Sequence, residues 1–200
     1  RYWYVDAMAS LPQAIPISPG FGMYGFGGGA YYHMSQQAPE EMGDLNNGEV
    51  VIDESTTPGK TPSQTTYYPN KKVRLGLKAS VVIGTSPDPT AFNSISTFKI
   101  EINSNGGISY IGFEGEAYFM SSPGTQKEKI PLYAYLNIDV NIIDATLFGR
   151  FDVYVNAGPV KGAHAGNRAG TSIMYFSPDD WYIYMGRPKN RIGVKFMQMV

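Results

Sequence analysis

From Val73 onward apolar residues recur at every second position, and this period decides what the chain can fold into. Val73, Leu75, Leu77, Ala79 and Val81 alternate with Arg74, Lys78 and Ser80, the pattern of a strand with one apolar and one polar face. Segment 95–103 places Phe98, Ile100 and Ile102 on one face, and segment 108–120 does the same for Ile111, Phe113, Ala117 and Phe119. Leu132, Ala134, Leu136, Ile138, Val140 and Ile142 alternate through a further strand, and Ala145, Leu147, Gly149, Phe151, Val153 and Val155 through the next. Shorter strands follow at 172–176, 181–185 and 192–199, divided by the turn formers Ser177-Pro-Asp-Asp180 and Arg187-Pro-Lys-Asn190. With Tyr2–Met8 and Gly22–His33, the chain reads as about ten strands. No segment longer than ten residues carries an apolar 3.6-residue period. The expected fold is all-β, with antiparallel sheets forming a sandwich or an extended sheet or open barrel.

The same period constrains register. Even-numbered apolar positions before Asn103-Ser-Asn-Gly-Gly107 must face odd-numbered ones after it, which a two-residue turn allows. A turn at Asn105-Gly106 sets Ile100 opposite Ile111 and Phe98 opposite Phe113; one at Gly106-Gly107 sets Lys99 opposite Glu114. A connection at Ile143-Asp144 sets Asn137 opposite Arg150 and Tyr135 opposite Asp152. We expect Ile100, Ile102, Ile111, Phe113, Leu136, Ile138, Phe151 and Val153 on the buried face.

Residues 35–72 are polar and rich in Pro, Gly, Ser and Thr, with Val50, Val51 and Ile52 as apolar relief. Such a stretch cannot offset its own ordering entropy. It is expected to be one long polar loop or arm that leaves the main sheet, with no strand longer than about five residues except around Glu49–Ile52. This divides the chain into Gly/aromatic-rich strands joining the sheet (1–34), the loop (35–72) and an antiparallel core (73–200), within one domain or a fragment of a larger chain. The start at Arg1 fits a processed product or a piece of something longer.

Composition narrows the functional classes. Sixteen Lys and Arg against seventeen Asp and Glu leave a formal charge of −1, so no net field draws the chain to nucleic acid. The absence of Cys removes disulfides, thiolate zinc sites and thiol nucleophiles. No apolar run reaches 18 residues, so no transmembrane helix is expected. Abundant Tyr and Gly with 16% charged residues suit an extracellular or surface β-protein.

The motifs add little chemistry. GFGMYG at 20–25 fits G-x-G-x-x-G, but the glycines continue through Gly27, Gly28 and Gly29, where a dinucleotide site needs a helix. The expectation is an extended strand lying close to another element, with no cofactor. His33 and His164 have no ligand-spaced acidic neighbours, and Asp179-Asp180 reads as a turn, so no metal is expected. Glu114 and Glu116, two apart on one strand, have the spacing of a glycosidase pair but read as decoration of a polar face, and no catalytic residue is assigned. The candidate binding face comprises Tyr182, Tyr184, Tyr175 and Tyr154 with Asn137, Asp139, Arg150 and Asp152, since flat rings beside polar groups suit glycan stacking and protein contacts.

The stretches YGFGGGAYYHM and YFSPDDWYIYMGRPKNRIGV resemble segments of very large, uncharacterised β-rich secreted or surface proteins of Bacteroidota-type bacteria. The resemblance covers about 30 residues and implies an exported, modular, sheet-forming setting at the bacterial cell surface. The expected function is a non-enzymatic structural or interaction module, with neighbouring modules or other subunits as protein partners. A glycan-binding β-sandwich and an outer-membrane β-barrel segment are the alternatives.

Overall fold

The computed structural model describes residues 1–37, 66–122, 125, 129–186 and 191–196. The strands are β1 (Trp3–Ser18), β2 (Phe21–Tyr32), β3 (Met34–Gln37), β4 (Thr66–Pro69), β5 (Val73–Thr85), β6 (Phe92–Asn103), β7 (Ile108–Phe119), β8 (Leu132–Asn141), β9 (Thr146–Ala157), β10 (Val160–Gly162), β11 (Arg168–Phe176), β12 (Trp181–Met185) and β13 (Val194–Phe196). One antiparallel sheet of 11 strands runs β1-β2-β5-β6-β7-β8-β9, continues to β11 and β12, and carries β10 and β13 as a side branch. It is a single layer that does not close into a barrel. β3 and β4 form a separate hairpin between β2 and β5.

The expected registers hold through the strand bodies. Ile100 faces Ile111 and Phe98 faces Phe113; Asn137 faces Arg150 and Tyr135 faces Asp152. The first hairpin reaches its register by another route than the expected two-residue turn. Asn103 N–H donates to the Gly107 carbonyl and Gly106 N–H to the Asn103 carbonyl, leaving a three-residue loop with Gly106 at φ +88°. A three-residue loop alone would shift every apolar residue to the wrong face. One extra residue, Ser109, inserted where Ile102 pairs Ile108 but Glu101 pairs Tyr110, restores the parity.

β1 extends to Ser18, well beyond the expected Met8, even though it contains Pro12 and Pro16. It is the edge strand, where a missing N–H need not interrupt a ladder, and its register shifts between Ser10 and Ile15. GFGMYGFGGG runs as β2 as expected, zipped between β1 and β5. The described part of the C-terminal strand is Val194–Phe196. The suggested strand around Glu49–Ile52 lies outside the described residues.

The burial expectation requires correction. The eight apolar residues expected on the buried face share a face, but none of them is fully buried: Phe151 is 43% exposed and the other seven are half-buried, and Phe98 beside them is 44% exposed. On the opposite side Tyr135 at 6% and Asp152 at 1% are buried, while Asn137, Asp139 and Arg150 are half-buried. Alternation decides which residues share a face, whereas closure depends on what covers that face, and no second layer among the described residues covers the apolar one.

Candidate functional site

Directly opposed residues on successive strands share a face, so the pairing defines transverse rows across the sheet. On the apolar face one row reads Val5-Ala30-Leu77-Ile100-Ile111-Val140-Leu147-Phe176-Trp181. The next reads Ala7-Gly28-Ala79-Phe98-Phe113-Ile138-Gly149-Met174-Ile183, and a third Ala9-Phe26-Val81-Ser96-Gly115-Leu136-Phe151-Ser172-Met185. None of these rows contains a charged side chain or a carboxamide. Aromatic rings mark the face's ends. Phe21, Phe92 and Phe119 meet at one end, with ring centroids 6.2 and 5.3 Å apart. Trp3 stacks on Tyr32 at 6.1 Å and Trp181 on Phe176 at 6.3 Å, both at the other end. These are the chain's two tryptophans.

The other face carries the charges. A row through its middle reads Asp6-Gly29-Lys78-Lys99-Gly112-Asp139-Phe148, and the next Met8-Gly27-Ser80-Thr97-Glu114-Asn137-Arg150-Ile173-Tyr184. Ion pairs knit the rows. Lys78 pairs with Asp6, both fully enclosed; Lys99 Nζ lies 3.0 Å from Glu114 Oε2, and Arg150 Nε 2.6 Å from Asp152 Oδ2. Lys99 thus meets Glu114 on the diagonal, two rows of residues apart from the direct pairing that a Gly106-Gly107 turn required. Tyr110 donates to Asp139, as does Asn137, and Thr171 donates to Asp152.

All eight residues of the expected binding face lie on this polar side. Tyr154 stacks on Tyr133 with centroids 4.2 Å apart and planes within 5°; Tyr175, Tyr182 and Tyr184 form a second ladder at 5.4 and 5.9 Å. The rings stack on one another, which covers part of their flat surface, while Tyr182 remains 45% exposed. Asp152 is enclosed by Arg150 and Thr171, which differs from the expected solvated decoration. Glu114 and Glu116 also lie on this face, held by Lys99 and by the Tyr118 hydroxyl. Among the described residues no cluster of three or more His, Cys, Asp or Glu could hold a metal. His33 stacks on Tyr32 at 4.1 Å, and His164 Nε2 lies 2.6 Å from the Arg191 carbonyl.

The deepest part of the polar side was not legible as a site. The β3–β4 hairpin folds over it, burying Met34 and Tyr67 against Tyr31 and Val73. Tyr67 stacks on Tyr4 at 4.5 Å and its hydroxyl donates to Asp6 at 2.8 Å. Burial, reinforced by the Asp6 carboxylate, pushes the Tyr67 phenol far above its usual pKa. Glycines make this closeness feasible: a Cβ on Gly76 would fall inside the Tyr31 ring, and one on Gly29 would lie 3.1 Å from the Tyr67 hydroxyl. Asp6 and Lys78 stand 72 residues apart, and Lys78 read only as a polar residue of an alternating strand. In the exposed β5–β6 loop, Asp88 accepts from the Thr90 hydroxyl and backbone N–H at 2.7 and 2.9 Å, which lowers its pKa. No helix among the described residues is long and apolar enough to cross a membrane. No family model, curated protein or solved structure matches the chain.

Proposed function

We propose that this sheet is part of the wall of a transmembrane β-barrel, with its apolar face against lipid and its charged face lining the interior. The observation that carries the reading is the polarity of the single layer: a face without charges, which the described residues leave uncovered across nine strands, backs onto a face of ion pairs and hydrogen-bonded polar groups. A water-soluble sheet protein gains stability by covering its apolar face, and an open apolar patch of this extent marks contact with lipid or protein. Alternation of apolar-out and polar-in residues is the rule of membrane barrels. Strands β5 to β9 are 10 to 13 residues long, which at a tilt of about 45° covers roughly 25 to 30 Å, the thickness of the hydrocarbon core.

The ends of the face favour lipid over a protein partner. Trp3, Tyr32 and Trp181 form a belt at one end, where amphipathic rings sit at a membrane–water interface. A protein interface concentrates such rings at its centre instead. Barrel strands at a bacterial cell surface agree with the setting that the resemblance implies. The sheet is open at β1 and β12, so further strands complete the circle.

The lack of Cys gives a direct test. Phe98→Cys and Phe151→Cys, made singly in the membrane-embedded protein, should react with a membrane-permeant maleimide and resist a charged one. Asn137→Cys, on the polar face, should react with the charged reagent. Rapid labelling of both Phe positions by the charged reagent in detergent-free buffer would refute the lipid-facing assignment.

A further inference from the structure

At one end of the apolar face the β8–β9 and β11–β12 turns flank a groove of about 550 Å3. Val140, Ile142, Leu147, Phe176 and Pro178 line it, and Trp181 stacks on the Phe176 ring beside it. Its volume falls within the range of small-molecule clefts, and its walls are mainly apolar, with Asn141, Thr146 and Ser177 as their polar part. The two turns that frame it carry Asp144, Asp179 and Asp180, all exposed. No Lys or Arg occurs in residues 141–149 or 176–186. The basic residues Lys71, Lys72 and Arg74 of the same end lie across the sheet at the start of β5.

We infer that this groove holds one acyl chain of a membrane lipid whose headgroup carries a primary ammonium, with the carboxylates of the two turns receiving that headgroup. The inference rests on the membrane reading and adds a lipid class and a place. The groove opens onto the face assigned to lipid, at the level of the tryptophan belt, so a bound chain would lie parallel to β8 and β9 with its polar end at the turns. An ammonium donates hydrogen bonds to carboxylates there, whereas a phosphoglycerol headgroup meets like charge. The other end of that belt, at Trp3, lies across the sheet on the edge strand β1 and serves as an internal control.

The two tryptophans make the test specific. The Trp3→Phe variant leaves Trp181 to report on the groove, and Trp181→Phe leaves Trp3 to report on the bare edge. Each is reconstituted as the full chain in phosphatidylcholine vesicles containing brominated phosphatidylethanolamine or brominated phosphatidylglycerol, and fluorescence quenching is followed against mole fraction. Trp181 should be quenched at about fivefold lower mole fraction of the ethanolamine lipid than of the glycerol lipid, and Trp3 at equal fractions of both. Asp144→Asn/Asp179→Asn/Asp180→Asn should abolish the difference at Trp181. Equal quenching of Trp181 by both lipids, or a preference that survives the triple substitution, overturns the groove assignment while leaving the membrane reading standing. If neither tryptophan is quenched by any brominated lipid, both fall.

Discussion

Asp6 and Lys78 form an ion pair with side chains only 1% and 2% exposed, and the free-energy balance of such a pair is lopsided. Desolvating both ions costs several kcal/mol each, which the attraction and the added hydrogen bond from Tyr67 offset. Removing one partner leaves a buried charge uncompensated. Asp6→Leu should therefore lower stability by about 3 to 5 kcal/mol, read as a shift in the denaturation midpoint in detergent. Asp6→Leu combined with Lys78→Met should cost much less, because no ion is then stranded. A double variant as unstable as the single one would mean that Asp6 acts through Tyr67 alone.

At the scale of elements, β5 shows how a strand can carry different solutions on its two faces. Leu77, Ala79 and Val81 present a smooth apolar surface, while Gly76 on the other side leaves room for the Tyr31 ring to lie flat on the backbone. Tyr31 is fully buried and its hydroxyl donates to Glu101 at 2.9 Å, so the ring has no free direction in which to move. Gly76→Ala should destabilise the protein by about 1 to 3 kcal/mol through overpacking, and combining it with Tyr31→Ala should add little to the effect of Tyr31→Ala alone. Additive losses would show that Gly76 is needed for its own conformation and not for the ring. The pairings of β6 with β7 and of β8 with β9 were legible in the sequence because a strict two-residue period and a short loop leave few registers. The compensating loop and bulge at Ser104–Ser109 were not, since both routes satisfy the same parity. The docking of Tyr67 onto Asp6 and Lys78 was hidden for another reason: it joins three separate segments, and no local pattern ties them. Alternation placed the eight residues of the candidate face on one side, but the burial of Asp152 among them was not foreseen, because apolar residues were assigned to an interior that a single layer lacks.

For the molecule as a whole, the decisive feature is direction at the two open edges. Each step along β1-β2-β5-β6-β7-β8-β9-β11-β12 is antiparallel, so nine strands place β1 and β12 in the same sense. Joining them directly would require a parallel ladder, which is slightly weaker and foreign to an up-and-down wall. Antiparallel closure needs an odd number of additional strands, the first against β1 and the last against β12, giving an even total. Two copies related by rotation about the barrel axis fail for the same reason, because β12 of one would meet β1 of the next in parallel. If the sheet is a barrel wall, as proposed, an unpaired edge in lipid would expose backbone groups at several kcal/mol each, and the outer edge of β1 from Trp3 to Ser10 would then have to be occupied in the working assembly. Hydrogen exchange followed in the native membrane should find the amides on both sides of that stretch protected to the same degree. Fast exchange of the alternate amides that point away from β2 would show a free edge, and a wall that is never closed.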